Sequence, residues 1–362
     1  MITIKDIAKE ANVSEGTVDR VLHNRAGVSK KTEEKIKKIL DKHNFSVNPV
    51  ASALAMKNKF LIAALTPSHS ATDLFWKSPL QGILKASEEV NNVGVQTTHH
   101  AFNQYSPKSY LDTFKKLLET KPSAVIIVPI FLKETKLIIK QLEKLNIPYI
   151  FLNIEIEGFK NFAFIGQDSY TAGYIAGKLM HLSLPKQSTF LIIQSKHNFT
   201  ENNAITKRVE GFNDYFIKNN IKEETLTLKI DNLNNLIKST QKINTFLKQH
   251  HTIKGIFVPS SRISVIINSI DVEYSKNLRM IGFDNTPQNI DCLRNDSVSF
   301  LISQKPFDQG YESIRLATDY LLKKKIPKDK VYLPIDILTK ENVKYNERNE
   351  FLFEKEMSDS KY

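Results

Sequence analysis

Two groups of side chains carry the recognisable chemistry of this sequence. Near the amino terminus stand Ser14, Glu15, Gly16 and Thr17, with Arg20 one helical turn further on. A helix beginning at Ser14 directs Glu15, Gly16 and Thr17 outward from its N-terminal end, the geometry by which a helix reads base edges in a DNA major groove. The Arg20 guanidinium can bond both acceptors of a guanine, an arrangement worth about 1–3 kcal/mol of discrimination. Its competing use is a surface ion pair with Asp19 or Glu15. Glu15 can accept a bond from a cytosine amino group, or stabilise the positive end of its own helix.

The second group lies far along the chain. Asp284 follows the apolar run RMIGF and Gln304 follows SFLI, so both project from the carboxyl ends of expected strands, where α/β sheets collect ligands. A carboxylate there accepts two sugar hydroxyls, or caps a helix starting at Thr286. Gln304 offers donor and acceptor together and suits a polyhydroxylated ligand. Asn153 after PYIFL, and Asn202 and Thr206 ahead of Arg208, are further candidates.

Other chemistries lack their parts. There is no G-x-S-x-G nucleophile elbow, no G-x-x-x-x-G-K-S/T loop and no G-x-G-x-x-G, so no enzyme activity and no cofactor is expected. His99-His100 and His250-His251 are adjacent pairs, whereas helix ligation of one metal uses a spacing of about four residues, so no metal site is expected. The single cysteine, Cys292, excludes an internal disulfide and reads as a small buried hydrophobe in a reducing compartment.

These groups need scaffolds. Residues 1–46 read as three short helices, each announced by a hydroxyl side chain able to cap backbone N–H groups. Thr3 precedes Ile4, Ile7, Ala8 and Ala11; Ser14 precedes Val18, Val21 and Leu22; Ser29 precedes Ile36, Ile39 and Leu40. Each set falls on one helical face, and three such stripes close a miniature core. The link Asn12-Val13-Ser14 has the length of a helix-turn-helix turn. Residues 49–55 form a short helix-capable run within a linker over 47–59. From 60 to 345 apolar runs alternate with amphipathic segments: FLIAAL, GVQTTHHAF, AVIIV, PYIFL, FAFIG, TFLII, TLTLKI, GIFV, RMIGF, SFLI and VYLPIDIL. Strands alternating with helices imply parallel sheets with crossover helices. Eleven strand candidates exceed one common doubly wound sheet, which favours two α/β lobes with a cleft between them.

The run from Thr3 to Ala8, the run from Val13 to Leu22, Val28-Ser29-Lys30-Lys31-Thr32, Asn48-Pro49, Ala51 and Leu54-Ala55 together resemble the lac/galactose repressor family of bacterial transcription regulators. The resemblance implies base reading at Glu15, Gly16 and Arg20, with phosphate contacts from Thr3, Ser14, Thr17, Ser29 and Thr32 that fix register rather than sequence. It also implies a hinge helix over 49–55 whose Leu54 wedges into the minor groove and kinks the duplex. Three residues depart from the family pattern: Asp19 stands where a small hydroxyl is usual, Glu15 brings a carboxylate that nearby phosphates repel, and Ser52 stands where many relatives carry Arg. For the body the resemblance implies a periplasmic-binding-protein-like fold. Lobe one would take about 60–165 plus 297–325, lobe two about 166–296 plus 326–345, with a charged tail over 346–362. Phe75 and Trp76 would form an aromatic plate for an apolar sugar face, unless the rings belong to the core. Arg208 fits the family's structural arginine, which leaves Arg262, after GIFV, to supply a ligand-gripping guanidinium, unless that segment is a helix cap with a surface charge.

The expected fold class is therefore an all-α helix-turn-helix head joined to an α/β bilobal body of two doubly wound parallel sheets. The implied function is a sequence-specific DNA-binding regulator, a repressor, that meets a pseudo-palindromic double-stranded operator as a homodimer and answers to a carbohydrate-like effector. The alternative is a sugar-binding receptor with no DNA-reading role. Formal charge is +12, and residues 1–60 hold twelve Lys/Arg against seven Asp/Glu, so a basic head sits on a milder body. The start MITIKDIAKE lacks an apolar signal region, and no stretch approaches the roughly 18 apolar residues of a membrane span, so a soluble cytoplasmic protein without a membrane partner is expected.

Overall fold

The computed structural model of the chain describes residues 2–22, 26–43, 45, 60–70, 73–195 and 203–346. The chain divides near residue 60 into two compact units, a head and a body.

The head holds helices α1 (Ile4–Ala11), α2 (Glu15–Leu22) and α3 (Lys30–Lys42). Thr3 opens α1 through a reciprocal capping box, the Asp6 N–H donating to the Thr3 hydroxyl at 3.3 Å and the Thr3 N–H to the Asp6 carboxylate at 2.9 Å. Asn12 ends the helix with φ of 55°, a left-handed conformation that Asn tolerates. Ser14 accepts from the Thr17 N–H at 3.2 Å and Ser29 from the Thr32 N–H at 3.3 Å, so the three hydroxyls act as the caps their spacing predicts. Ile7, Ala8, Val18, Val21, Ile36 and Ile39 form the core, with Leu22 and Leu40 packed against it. The expected hinge, including Ser52 and Leu54, lies outside the described residues, as does the tail beyond Asn346.

The body's strands are β1 (Phe60–Pro67), β2 (Val95–Phe102), β3 (Ala124–Ile127), β4 (Tyr149–Leu152), β5 (Ala163–Gly166) and β6 (Thr189–Ser195). They continue with β7 (Glu224–Ile230), β8 (Ile253–Phe257), β9 (Arg279–Phe283), β10 (Phe300–Ser303), β11 (Lys330–Tyr332) and β12 (Asp336–Leu338). Among the described residues they build two six-stranded sheets, ordered β11-β5-β4-β3-β1-β2 and β12-β10-β9-β8-β6-β7. All pairings are parallel except that of β12 with β10. Every position of β3, β4 and β5 is buried, as parallel strands covered on both faces must be.

The first sheet is covered by α4 (Lys77–Asn91), α5 (Pro107–Glu119), α6 (Leu132–Lys144) and, from late in the chain, α13 (Pro306–Lys323). The second carries α7 (Ser169–Leu182), α8 (Asn203–Lys218), α9 (Leu236–Gln249) and the short helices α10 (Ile263–Ile267), α11 (Val272–Ser275) and α12 (Pro287–Arg294). No helix among the described residues is long and apolar enough to cross a membrane.

The expected lobe boundaries need correction in two places. Residues 300–303 pair with β9 and β12 in the second sheet, not the first, and Lys330–Tyr332 pairs with β5 in the first sheet, not the second. The run VYLPIDIL is accordingly two strands. Pro334 cannot donate to a ladder, so the run breaks there and the chain crosses from one sheet to the other. The three crossings follow β5, β10 and β11.

Helices α4 and α13 meet backbone to backbone. A Cβ at Gly310 would lie 2.0 Å from the Pro79 carbonyl oxygen, and one at Gly82 would lie 2.0 Å from that of Phe307. Because both obstructing atoms are main chain, neither can swing aside. Gly310→Ala should destabilise the body by about 1–3 kcal/mol, read as a lower urea midpoint at unchanged slope; an unmoved midpoint would show that the helices can part freely.

Candidate functional site

A cavity of about 880 Å³ opens between the lobes at the carboxyl ends of the strands. Its polar floor is set by two residues in corresponding places. Asn153 comes directly after β4 and Asp284 directly after β9, with φ of 67° and 68°. Asn and Asp enter this left-handed region more readily than other non-glycine residues, and the sharp turn redirects each side chain into the cleft.

The two are joined through Gln304, which follows β10 at a crossing between lobes. The Gln304 Nε2 donates to Asp284 Oδ1 and Oδ2, each at 2.9 Å, and its Oε1 accepts from Asn153 Nδ2 at 3.2 Å. Gln309 braces the relay, accepting from Asn153 at 3.0 Å and donating to the Gln304 carbonyl at 2.8 Å. Beneath it Asn289 donates to the carbonyls of Phe283 and Asp284, each at 3.0 Å, and so fixes the turn. Asp284 is therefore not the cap of α12; Thr286 occupies that position. Burial pushes the Asp284 carboxyl up to about 6, against the opposing pull of Arg208 and the Gln304 amide.

Arg208 also lines the cavity, a position that reading it as a purely structural arginine misses. Its Nη1 donates to the Pro259 carbonyl at 2.9 Å and its guanidinium lies 4.0 Å from the Phe283 ring centroid. The buried Nε–H has no partner among the described residues. Burial draws this guanidinium down to about 10. Its helix is held close by glycine: a Cβ at Gly173 on α7 would sit 2.0 Å from the Arg208 carbonyl oxygen.

Phe75 and Trp76 both line the cavity, edge to face with centroids 4.9 Å apart, and both are buried. Arg262 lines it too, yet its guanidinium is engaged with Asp73 at 3.3 Å and with Asn234 at 2.8 Å. Thr206 is a correction: it is exposed on α8 and absent from the lining, whereas Ala204 and Ile205, on another face of the same helix, border the cavity. Asn202 lies outside the described residues. Sequence reading also passed over Asp73, Gln104, Tyr105, Asn232 and Asn234. Gln104 and Asn232 lie two residues beyond β2 and β7, so a strand-end rule widened to the second residue after every strand would have found them.

In the head, Ser14, Glu15, Gly16 and Arg20 are exposed along the start of α2 and its first turns, and Thr17 is half-buried. Among the described residues no acid pairs with Arg20; neither Asp19 nor Glu15 takes it. The Ser14 and Thr17 hydroxyls stand 2.9 Å apart and those of Ser29 and Thr32 2.8 Å apart. These pairs crown two helix N-termini, where exposed N–H groups and the helix dipole favour anions. Thr3 differs, since its hydroxyl donates to Asp6 at 2.6 Å. No group of three or more His, Cys, Asp or Glu side chains among the described residues is arranged to hold a metal ion.

Residues 62–325 match the periplasmic binding protein domain, and residues 3–48 match the lacI family of bacterial regulatory proteins. The ribose operon repressor of Halalkalibacterium halodurans is 26% identical over 358 residues, covering 97% of this chain and 99% of that one. A crystal structure of a chain assigned as a LacI transcriptional regulator from Bacteroides fragilis superposes with a TM-score of 0.74 at 28% identity, over 80% of this chain and 99% of the other. An ABC transporter solute binding protein from Agrobacterium vitis, bound with α-D-tagatopyranose, superposes with a TM-score of 0.68 at 19% identity, over 79% and 96%, a likeness of fold alone. A capped three-helix reader with an exposed arginine on its second helix, and a two-lobed body with a polar cleft, thus agree with both matches, and the chain belongs to the lacI family of bacterial regulatory proteins, with a periplasmic binding protein domain as its body.

Proposed function

We propose that this protein binds a pseudo-palindromic operator as a cytoplasmic homodimer, laying α2 of each head in a major groove, and that a small carbohydrate or carbohydrate derivative held in the cleft releases it. The observation that carries the effector half is the Asn153–Gln304–Asp284 relay, which gathers amide donors, amide acceptors and a carboxylate from both sides of one cavity. A polyhydroxylated ring offers a matching alternation of donors and acceptors, and Phe75 and Trp76 offer it an apolar face. The repressor role is supported by the ribose operon repressor, whose name couples a sugar to an operon. Ligand that favours one lobe arrangement would alter operator affinity by a coupling of about 1–3 kcal/mol.

Thermal-shift screening of pentoses, hexoses, sugar acids and sugar phosphates tests this reading, followed by operator competition with each stabilising compound. One class is expected to raise the melting temperature and to lower operator affinity roughly 5- to 150-fold. A panel in which nothing stabilises the chain would overturn the effector assignment.

The pH dependence has a definite sign. Asp284 must be ionised to accept two hydroxyl donors, and its carboxyl titrates at about 6. Effector affinity should hold above that pH and fall about tenfold per unit below it. Calorimetric titration between pH 5 and pH 8 checks this, and a flat profile would remove the ionised carboxylate from the ligand's partners.

A further inference from the structure

Asp73 and Arg262 meet across the cleft. Asp73 lies in the loop between β1 and α4 of the first lobe, and Arg262 in the loop between β8 and α10 of the second. The Arg262 Nη1 donates to Asp73 Oδ2 at 3.3 Å, and the two side chains are 13% and 15% exposed. Each is braced on its own lobe. The same Asp73 oxygen accepts from the Gln104 amide at 2.9 Å and from the Tyr105 hydroxyl at 3.2 Å, while Arg262 Nη2 donates to Asn234 at 2.8 Å.

The pair also stands in a wall. On its far side lies a second cavity of about 340 Å³, bordered by Leu74, Leu236 and Val265. Asp73, Phe75, Leu233, Asn234, Ser261 and Arg262 line both cavities, so the ion pair stands in the boundary between the main cleft and a more apolar chamber. A largely buried charge pair is weakly screened by salt, and it is geometrically demanding because both partners are held by fixed neighbours. Such a contact is made only when the lobes are close.

We propose that the Asp73–Arg262 pair is a latch that draws the two lobes shut over the cleft, a role that rests on reading the cleft as the effector site. Asp73 and Arg262 are then positioning residues: they set how readily the relay residues of one lobe close against the other. Breaking the pair opens the lobes and joins the two chambers.

The test uses the full chain with fluorophores on cysteines introduced at Lys115 of α5 and Lys248 of α9, both exposed and one on each lobe. The native Cys292 is buried and makes a poor competitor for the label. Asp73→Asn removes the charge at constant side-chain volume, and Arg262→Gln removes the charge with a side chain two heavy atoms shorter; each should lengthen the mean interlobe distance. The double variant should open no further than either single one. A charge-swapped chain, D73R with R262D, should return the distance to that of the parent. Unchanged distances in the single variants, or a double variant whose opening equals the sum of the two, overturns the latch. No effector enters this measurement, so a sugar panel that fails to stabilise the parent chain counts against the effector reading alone, and the distances still decide the latch.

Discussion

Arg20→Ala should erase the preference of this protein for its operator while leaving it folded and still able to bind bulk DNA. The side chain is exposed on α2 and takes no part in the head core, which is built from Ile7, Ala8, Val18, Ile36 and their neighbours. Its removal therefore creates no cavity and breaks no ion pair among the described residues. What it removes is a donor pair able to grip one guanine, worth about 1–3 kcal/mol at each half-site. With two heads on one palindrome the loss reaches about 2–6 kcal/mol, roughly 30-fold to ten-thousand-fold in selectivity. Contacts to phosphate, by contrast, carry no sequence information, so affinity for a scrambled duplex should change little. Fluorescence anisotropy against operator and scrambled duplexes at one fixed salt concentration reads the ratio. Retained selectivity would exclude Arg20 from the readers. Ser29→Ala makes a useful contrast: it strips the cap of α3 and should cost about 0.5–2 kcal/mol of head stability with little effect on that ratio.

Asp284→Ala should abolish effector binding. The carboxylate is buried, aligned by Asn289 beneath and Gln304 beside it, and it offers both oxygens toward one cavity. Two charge-assisted bonds at about 1.5–3 kcal/mol each correspond to a loss of at least about 100-fold in affinity. Truncation also leaves the buried Arg208 charge without the anion that offsets it, so some loss of stability is expected alongside. Asp284→Asn separates the two effects by keeping shape. The native carboxyl titrates at about 6 against an ordinary value of 3.8, so the folded state holds its proton more tightly than the unfolded one. Its contribution to stability is full below 3.8 and is lost as pH rises to about 6, a swing of about 3 kcal/mol that the Asn variant should not show. Urea unfolding across that window compares the two chains. Undiminished effector stabilisation in the Ala variant would refute the role of Asp284.

Gln304 and Asp284 illustrate how far single positions can be read. Each follows an apolar run, and that alone places it at a strand end facing a cleft. Nothing in either segment reveals that the Gln304 amide spans both Asp284 oxygens, or that Asn153 completes the chain from the other lobe. Thr206 shows the converse. Its distance from Arg208 along the chain suggested a cleft position, but a helix turns about 100° per residue, so a small error in phase puts a side chain on the outside.

The amino-acid sequence alone determined the parts of this protein that depend on neighbours within a few residues. These are the hydroxyl caps at Thr3, Ser14 and Ser29, the apolar stripes of the head, and the strand-forming runs that became β1 to β10. Only the tertiary structure decided which sheet received β10 and β11, that Arg208 borders the ligand cavity, and that Asp73 meets Arg262 across 189 positions of sequence. The reason is physical. Capping and periodicity are set by local backbone geometry, whereas a cleft is assembled from the ends of many strands, and partner choice there follows from which slots in the two sheets remain to be filled.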